Sequence, residues 1–505
     1  MTILQDSSVL ILGLGVSGVA MARWCAGLGA RVTVVDTRQA PPQLSVLQAE
    51  LPNVKFVQSE FVASLVEGTD IRAVFKSPGL SPEQVQPVMD AAHSSGLWTG
   101  GELNLFIQGL KFLNETQGYA PEVLAITGTN GKTTVTSLTG QLIERAGKTV
   151  AVAGNIGPTM LDTLSMHVVA QTLPEVWVLE LSSFQLNGIE GFRPAMGTVL
   201  NLSQDHLDWH GSMQAYSAAK ARIFGPHGLE MAPMLVNRDD PEVMAMVPAH
   251  AKGKPQRHYI TFGMDVPVRP GDWGLETVNG MTWLVKAMEA DETRRRRKDD
   301  AEEVHIQRLM PADALRIRGR HNASNALAAL ALASAAGCSL APMLYGLREY
   351  RGEPHRVESI GVVQEVEFFD DSKGTNVGAT VAALNGLGED RKLVVILGGQ
   401  GKGQDFKPLV APLMRYARAV VLIGQDAPLI AQVLEGVAVT CLQAADMDAA
   451  VRLAMDHAHV GDAVLMSPAC ASLDMFKNYE HRAEVFRIAV LQIAQAAGVS
   501  LGEQT

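Results

Sequence analysis

The chain has 505 residues, of which 47% are hydrophobic and 19% are charged, and its formal net charge is -11 at neutral pH. A length of this size predicts about three domains. The excess of acidic residues argues against nucleic acid as the main partner, because binding a phosphate backbone requires a basic surface. A small polyanionic substrate is compatible with this charge if lysines, arginines and backbone N–H groups converge locally.

The cysteines and the N-terminus indicate the compartment. Four cysteines are scattered along the chain without a C-x-x-C pair, a pattern that fits neither a disulfide framework nor a zinc site. The N-terminus lacks the basic start and small-residue cleavage site of a secretory signal. No apolar run reaches the roughly 18 residues of a membrane span. We therefore expect a cytoplasmic protein that does not insert into membranes.

The first predicted elements form a β-α-β unit, consisting of VLILGLGVSG, a helix from Ala20 to Leu28, and RVTVVDTR. Gly13, Gly15 and Gly18 form G-x-G-x-x-G between strand and helix, and Asp36 ends the second strand. Such glycines let the backbone approach a diphosphate at the N-terminus of a helix. A dehydrogenase would use the acid on the ribose of NAD, whereas a close helix–strand turn needs no ligand at all. The motif alone leaves these alternatives open.

A second unit begins at VLAITGTNGKTT. Its loop is similar to the phosphate-binding pattern G-x-x-x-x-G-K-[ST], but it is shorter, because Ile126 stands where that pattern has its first glycine. Lys132 can reach β- and γ-phosphates, and the Thr133 hydroxyl can ligate Mg²⁺. The strand-loop-helix context disfavours a simple glycine-rich turn. The shortened spacing favours ATP ligases over ordinary GTPases.

Polar residues follow the next strands. Glu180 ends the strand VWVLE, where a carboxylate beside a triphosphate can hold Mg²⁺ or can instead cap or pair. The following segment carries a dense polar cluster of Asp205, His206, Asp208, His210 and Lys220. Zinc is not favoured, because neither a cysteine nor a third histidine lies nearby to complete a site. Spacing alone leaves His206 open between a metal ligand and a structural histidine.

The remaining chain continues the alternation of strands and helices. Five basic residues from Arg294 to Lys298 are flanked by acids, a pattern that predicts a solvated loop rather than a nucleic-acid patch. GRHNASNALAALALASAAG predicts a helix and YRGEPHRVE a linker. Three strand-then-loop units follow: VEFFDDSKGTNVGAT, KLVVILGGQGKGQDF and DAVLMSPACASLDMF. This alternation predicts an α/β protein with parallel sheets covered by helices.

Taken together, these motifs resemble the Mur ligases of peptidoglycan synthesis. The motifs are GTNGKTT, GNIG, LELSSFQL, the DH of Asp205 and His206, YSAAKARIF, RHNASNALAALA, PHR, DDSKGTNVGAT, LGGQGKGQDF and SPACASLDMFKNY. SPGL, DDSKGTNVG and SPACASLDMFKN favour the member that adds D-glutamate. The resemblance implies three α/β domains: a Rossmann-like UDP-substrate domain over residues 1–110, a central ATP-binding P-loop domain over residues 111–352, and a Rossmann-like amino-acid domain over residues 353–505.

The reaction implied by the resemblance is ATP-dependent ligation of D-glutamate to UDP-N-acetylmuramoyl-L-alanine. The L-alanyl carboxylate attacks the γ-phosphate to form an acyl phosphate, from which the amine of D-glutamate displaces phosphate. Expected partners are these two substrates and ATP, with Mg²⁺ at two sites, and the protein is expected to be a monomer. The residues implied to carry the chemistry are Lys132, His206, Lys220 and Lys402.

The resemblance also implies binding residues. Those for ATP are Gly128, Thr129, Asn130, Gly131, Lys132, Thr133, Thr134, Asn322, Asn325, Arg356 and Asp371. Those for the UDP-linked substrate are Gly15, Val16, Ser17, Asp36, Thr37, Arg38, Ser77, Gly79 and Asn155. Those for D-glutamate and the phosphoryl group are Lys373, Thr375, Ser472 and Tyr479. Those for Mg²⁺ are Thr133, Glu180, His206 and Lys220, and the family counterpart of Lys220 is carbamylated.

Two residues depart from the family pattern. Gln400 stands in the GGxGK loop where relatives carry an acid, and Ala483 replaces a glycine found after HR. Two alternatives also stay open. A folylpolyglutamate-synthase-like ligase shares the ATP loop but needs no UDP domain ahead of it, and a nucleotide-binding scaffold would bind without turnover.

Overall fold

Three β-sheets, each covered by helices, organise the chain. The computed structural model describes residues 4–226, 232–249, 257–290, 304–389 and 391–501. The basic tract from Arg294 to Lys298, predicted to be a solvated loop, lies outside these residues. Among the described helices, none combines the length and the apolar character that crossing a membrane requires.

The N-terminal elements form the first sheet. They are β1 (Ser8–Leu12), α1 (Val16–Gly27), β2 (Arg31–Asp36), α2 (Leu44–Glu50), β3 (Lys55–Gln58), β4 (Ile71–Lys76), α3 (Pro82–Ser94), β5 (Trp98–Gly100) and α4 (Glu102–Gln117). The strands are parallel in the order β3-β2-β1-β4-β5. The order reverses between β1 and β4, and ligands of such sheets bind at this point, beyond the carboxyl ends of the strands. The G-x-G-x-x-G loop lies there.

The central elements form the second sheet. They are β6 (Glu122–Thr127), α5 (Lys132–Arg145), β7 (Val150–Gly154), α6 (Met160–Ala170), β8 (Val176–Glu180), α7 (Ser183–Leu186), β9 (Met196–Val199), α8 (Leu207–His210), α9 (Met213–Ala221), β10 (Met234–Asn237), α10 (Pro241–Met244), β11 (Tyr259–Phe262), β12 (Trp273–Val278), β13 (Met281–Glu289), β14 (Val304–Pro311), α11 (Arg320–Ala335) and α12 (Leu340–Glu349). The order is β14-β13-β12-β11-β10-β9-β6-β8-β7. Strands β13 and β14 are antiparallel additions at one edge, and β6, which leads into the P-loop, is internal.

The C-terminal elements form the third sheet. They are β15 (Glu358–Val363), β16 (Val366–Asp370), α13 (Val377–Gly388), β17 (Leu393–Gly398), α14 (Val410–Tyr416), β18 (Ala417–Ile423), α15 (Ala427–Val433), β19 (Thr440–Gln443), α16 (Met447–His457), β20 (Ala463–Met466) and α17 (Tyr479–Ala496). The order is β15-β16-β20-β17-β18-β19, parallel except for the β15–β16 hairpin. The predicted α/β class, with three sheets that are mainly parallel, is confirmed.

Helix α4 joins the first sheet to the second. Phe106 on α4 packs edge-on against the fully buried Trp177 of β8, with ring centroids 5.0 Å apart. The indole of Trp177 donates to the hydroxyl of Tyr119 at 2.9 Å. One apolar core is therefore continuous from the N-terminal to the central sheet. The domain boundary predicted between residues 110 and 111 falls inside α4, and the one between residues 352 and 353 falls between α12 and β15. Both limits stay predictions.

Candidate active site

The shortened P-loop joins β6 to α5. Gly128 and Gly131 have positive φ angles of 154° and 82°, a backbone region that other residues rarely adopt. A Cβ atom on Gly131 would lie 2.7 Å from the side-chain oxygen of Asn325. Gly131 is also the N-cap of α5, without a side-chain cap. The N–H groups of the first helical turn are thereby left free to bind phosphate oxygens.

Lys132 folds back over this loop. Its ammonium donates to the carbonyl oxygens of Gly128 and Thr129 at 3.0 and 2.9 Å. Burial lowers the pKa of this ammonium, although the nearby carboxylate of Glu180 acts in the opposite direction. The lysine is thus a desolvated cation held by neutral oxygens, which a polyphosphate can replace.

Glu180 presents an unsatisfied carboxylate oxygen beside Lys132. The residue is buried at the carboxyl end of β8, and its Oε1 accepts from the amide of Asn155 at 2.7 Å. Its Oε2 is buried and has no hydrogen-bond partner among the described residues. A buried polar atom without a partner requires an explanation. A hard, oxygen-seeking cation would supply one, so this residue fits the Mg²⁺ predicted from the sequence.

Lys220, on α9, is buried against the P-loop. Its amine donates to the carbonyl of Gly128 at 2.8 Å and to the hydroxyl of Thr127 at 3.3 Å, and it lies 4.7 Å from the ring centroid of Tyr216. Burial lowers its pKa well below the ordinary value, and the nearby Lys132 lowers it further. The amine is therefore more readily neutral than that of a surface lysine.

His206 precedes α8 in a left-handed conformation, with a φ angle of 52°. Its Nε2 lies 3.5 Å from the carboxylate of Asp205, and its ring packs against Phe184 with centroids 4.7 Å apart. Burial lowers the pKa of the imidazole, although Asp205 opposes this effect. A neutral imidazole is the form that binds a metal or accepts a proton.

A first cavity opens beside the P-loop and gathers most residues predicted to bind ATP. Asn322 on α11 is held by neighbours in the chain: its amide donates to the carbonyl of Arg318, just before the helix, at 2.8 Å, and its oxygen accepts from Asn325 at 3.1 Å. Arg356, from the predicted linker, donates to the hydroxyl of Thr133 at 2.6 Å. The lining includes Asn130, Gly131, Thr134, Asn322, Asn325, Arg356, Asp371 and Lys373.

A second cavity adjoins the first and joins the central sheet to the C-terminal sheet. Its lining includes Thr129, Asn130, Lys132, Asp205, His206, Arg356, Lys373, Thr375, Asn376 and Lys402. Lys402 is exposed and follows β17 in a left-handed conformation, with a φ angle of 51°. The structure thus brings three predicted lysines, Lys132, Lys373 and Lys402, to one cleft.

Asn376 is a residue of this cleft that the sequence analysis did not select. It caps α13, and its amide lies 3.3 Å from the side-chain oxygen of Asn130 in the P-loop. The motif DDSKGTNVG contains it, and an asparagine directly before a helix is a typical cap. The contact with the P-loop, in contrast, depends on how two distant segments meet.

Lys373 and Asp371 are ionisable groups of the C-terminal sheet with shifted pKa values. Burial lowers the pKa of Lys373 to about 8, with a further contribution from Arg356. Its ammonium lies 3.5 Å from the ring centroid of Tyr479. Burial raises the pKa of Asp371 to about 7. The hydrogen bond that its carboxylate accepts from Ser467 at 2.6 Å acts in the opposite direction and lowers the pKa.

Tyr479 and Ser472 lie outside the linings of both cavities. The ring of Tyr479 contacts Lys373, which lines both cavities. Ser472 is buried, and its carbonyl accepts from the N–H group of Phe476 at 2.8 Å. The structure therefore does not bring these two residues to the cleft directly.

The structure shows the surroundings of Gln400 and Ala483, the two residues that depart from the family pattern. Gln400 exchanges backbone hydrogen bonds with Ala471, both at 2.9 Å, so its main chain ties together two loops of the third sheet. Ala483 is buried in α17 beside Arg482. Arg482, which the sequence analysis did not select, donates to the carbonyls of Cys470 and Ser372 at 3.0 and 2.7 Å. Nothing in the sequence pattern indicates that this arginine binds the carbonyls of two separate loops.

At the first sheet, Asp36 is committed to partners within the protein. It accepts from the N–H group of Leu14 at 2.8 Å and from the guanidinium of Arg38 at 2.8 Å through both oxygens. Burial raises the pKa of this carboxyl, but the hydrogen bonds from Arg38 and Leu14 outweigh that effect and bring it to about 2. The structure thus uses Asp36 to hold the glycine loop.

Other predicted residues for the UDP-linked substrate surround the same loop. The hydroxyl of Ser77 donates to the carbonyl of Gly13 at 2.9 Å. Gly15 is the N-cap of α1 without a side-chain cap, and Ser17 shares a hydrogen bond with the buried Glu102. Glu102, which the sequence analysis did not select, also accepts from the N–H group of Leu161 at 3.2 Å. The exposed residues of this group are Val16, Thr37, Arg38 and Gly79, whereas Asn155 lies beside Glu180.

Comparison with known proteins gives matches over nearly the whole chain. Residues 7–99 match the N-terminal domain of MurD-like Mur ligases, residues 126–333 match the Mur ligase middle domain, and residues 355–470 match the glutamate ligase domain of Mur ligases. The UDP-N-acetylmuramoylalanine--D-glutamate ligase of Albidiferax ferrireducens is 66% identical, covering 99% of both chains. The ligase of the same name from a Polaromonas strain is 57% identical, covering 99% of this chain and 100% of its own.

A solved structure supports the fold. MurF ligase from Thermotoga maritima in complex with ADP matches with a TM-score of 0.57 at 16% identity, covering 97% of this chain and 96% of its own. At this identity the likeness concerns the fold alone. The sequence matches carry the family assignment, and the resemblance predicted from the motifs is confirmed: the chain belongs to the Mur ligase family.

Proposed function

We propose that this chain is an ATP-dependent ligase that joins D-glutamate to UDP-N-acetylmuramoyl-L-alanine in the synthesis of peptidoglycan precursors. The observation that carries the proposal is the 66% identity to a relative of that name over 99% of both chains. The cleft supports it, because Lys373 and Lys402 of the third sheet line the same cavity as Lys132 of the phosphate-binding loop. A polyanionic reaction centre requires such convergent positive charge in an acidic protein.

The first step activates a carboxylate, which is a poor electrophile. An oxygen of the L-alanyl carboxylate attacks the γ-phosphorus of ATP, the bond from that phosphorus to the β–γ bridging oxygen breaks, and ADP leaves. We assign Lys132 and the N–H groups at the start of α5 to the β- and γ-phosphates, because they are the hydrogen-bond donors that the loop and its uncapped helix provide. Their role is positioning and charge neutralisation. Asn322, Asn325 and Arg356 would hold the rest of the nucleotide.

The second step forms the amide. The neutral amine of D-glutamate attacks the acyl carbon, the tetrahedral intermediate expels inorganic phosphate, and the nitrogen loses a proton. We assign Lys373, Thr375 and Lys402 to the carboxylates of D-glutamate and to the departing phosphate. Their position supports this assignment, because all three residues line the cleft that contains Lys132.

We also assign Mg²⁺ to this centre. Glu180 and Thr133 would hold one ion and His206 and Lys220 a second, and the ions would neutralise charge on the phosphates. The unpartnered Oε2 of Glu180 supports the first site. For the second site, the amine of Lys220 would add to CO₂ and lose a proton, giving a carbamate. Only a neutral amine reacts in this way, and the depressed pKa of Lys220 favours that form. A carbamate keeps one N–H, so the bond to Gly128 can persist.

We further propose that the chain works as a cytoplasmic monomer. A folylpolyglutamate-synthase-like ligase would not account for the MurD-like match over residues 7–99. A nucleotide-binding scaffold would show no turnover in a ligase assay, and this result would distinguish it from a ligase.

The ligase assay is the first prediction. With ATP, Mg²⁺ and UDP-N-acetylmuramoyl-L-alanine, we expect phosphate release with D-glutamate and none with L-glutamate. Lys132→Met should lower kcat by at least about a hundredfold, the loss typical of removing one transition-state donor. Lys55→Met, at an exposed lysine of β3, is the matched control and should leave kcat unchanged. Absence of turnover with every amino acid would refute the proposal.

The carbamate gives a second prediction. Lys220→Ala should lose activity about a hundredfold or more, because an anionic group is missing from the centre. Added acetate, which can occupy the space of the carbamate, should restore part of the rate. Acetate should not rescue Lys132→Ala, in which a cation is missing. If acetate rescues neither variant and wild-type activity persists after thorough removal of CO₂, the carbamate assignment is wrong.

The pKa of Lys373 gives a third prediction. Burial lowers this pKa to about 8, so the ammonium that would bind D-glutamate is charged below that pH and lost above it. In wild type, kcat/KM for D-glutamate should therefore fall relative to Lys373→Arg as the pH rises through 8, because arginine stays charged. Taking the ratio of the two enzymes cancels the titration of D-glutamate itself. A ratio that does not change between pH 7 and 9 would contradict the assignment.

A further inference from the structure

Lys76, the last residue of β4, carries a buried ammonium without a partner. Its Nζ is shielded from solvent and makes no hydrogen bond within the part of the chain that the structure describes. Burial lowers the pKa of this group. Removing a charge from water is costly unless a counter-charge or hydrogen bonds replace the water. A ligand that brings negative charge would supply what is missing.

A second unpartnered donor lies beside it. The Nζ of Lys76 is 5.6 Å from the ring centroid of Trp209, on α8 of the central part of the chain. The indole Nε1 of Trp209 is itself buried without a hydrogen-bond partner among the described residues. The face of an indole ring attracts a cation, but it does not accept the three N–H bonds of an ammonium. Two hydrogen-bond donors without partners, on neighbouring side chains, indicate that an acceptor is missing.

The position of Lys76 connects the two halves of the proposed site. It directly precedes Ser77, whose hydroxyl is bonded to the glycine loop through Gly13, and it lies at the reversal of strand order where such sheets bind ligands. Trp209 follows His206, which lines the cleft of Lys132. A substrate extending from the glycine loop to the P-loop would pass this point.

There is space at this point. Lys76 lines a cavity between the first and second sheets, together with Pro78, Glu102, Asn104, Phe184 and Gln185. Glu102 is the acidic residue of this lining, but its carboxylate accepts hydrogen bonds from the N–H group of Leu161 and from the hydroxyl of Ser17. It forms no hydrogen bond to Lys76. The protein therefore leaves the ammonium without a counter-charge beside this cavity.

We infer that Lys76, with the indole N–H of Trp209, is a further binding residue for an anionic oxygen group of the UDP-linked substrate. This inference deepens the proposed function and depends on it. Two groups of that substrate have the required chemistry: the diphosphate and the L-alanyl carboxylate. Either would give the ammonium a charged acceptor.

The test compares wild type with Lys76→Met, which keeps the length of the side chain and removes the charge. We expect KM for UDP-N-acetylmuramoyl-L-alanine to rise roughly ten- to a hundredfold, the range for losing a charge-assisted hydrogen bond. KM for ATP and for D-glutamate should stay within about twofold. Lys111→Met, at a lysine of α4 whose side chain is 65% exposed, is the matched control and should change nothing. Trp209→Phe, which keeps a ring and removes the N–H, should raise the same KM by a smaller factor.

Thermal-shift measurements with three probes identify the group that is bound. Loss of the stabilisation by UDP and by UDP-N-acetylglucosamine in Lys76→Met would assign the lysine to the diphosphate. Loss confined to UDP-N-acetylmuramoyl-L-alanine would assign it to the carboxylate-bearing end. Removal of a buried charge should leave the unliganded Tm of Lys76→Met equal to that of wild type or higher, which also checks its folding.

Equal KM and equal thermal shifts in wild type and Lys76→Met, with all three probes, would overturn the inference while leaving the proposed function intact. A wild-type protein that none of the three UDP compounds stabilises would instead overturn the proposed function, and this inference with it.

Discussion

Burial of charge around one short loop is the constraint on which the rest of the site depends. Lys220 and Glu180 are buried and Lys132 is half-buried close to Gly128 and its neighbours, and burial lowers the pKa of both lysines. Such groups are costly to bury without partners. Neutral carbonyls hold the lysines, and Glu180 keeps one oxygen unpaired. A centre of this kind is prepared for a substrate that brings its own charges, as a nucleoside triphosphate does.

The fold meets this constraint by placing loops at the carboxyl ends of parallel strands. The first and second sheets share an apolar core through α4, so their relative placement is fixed by packing. The third sheet meets the P-loop through polar contacts instead, from Arg356 to Thr133 and from Asn376 to Asn130. A polar contact of this kind is easier to break and re-form than an apolar core, as a domain that admits the proposed amino-acid substrate would require.

The sequence predicted the parts of the site that depend on local pattern. The two glycine loops and Glu180 at a strand end could be found because each follows from the pattern of strands and loops. The family resemblance supplied the expected roles of Lys220, Lys373, Asn322 and Asn325, which pattern alone left open. Contacts between segments that are remote in the sequence could not be predicted: Asn376 meets Asn130 of the P-loop, and Lys76 lies beside Trp209, more than a hundred residues away.

The central claim is that one cleft aims a carboxylate at the terminal phosphorus of ATP. Its most direct test follows an oxygen isotope placed in the L-alanyl carboxylate of UDP-N-acetylmuramoyl-L-alanine. Attack by that carboxylate followed by displacement of phosphate transfers one labelled oxygen to the inorganic phosphate released in each turnover, and we predict that mass spectrometry will find it there. Amide formation with unlabelled phosphate would show that the carboxylate never joined the phosphoryl group, and would contradict the account.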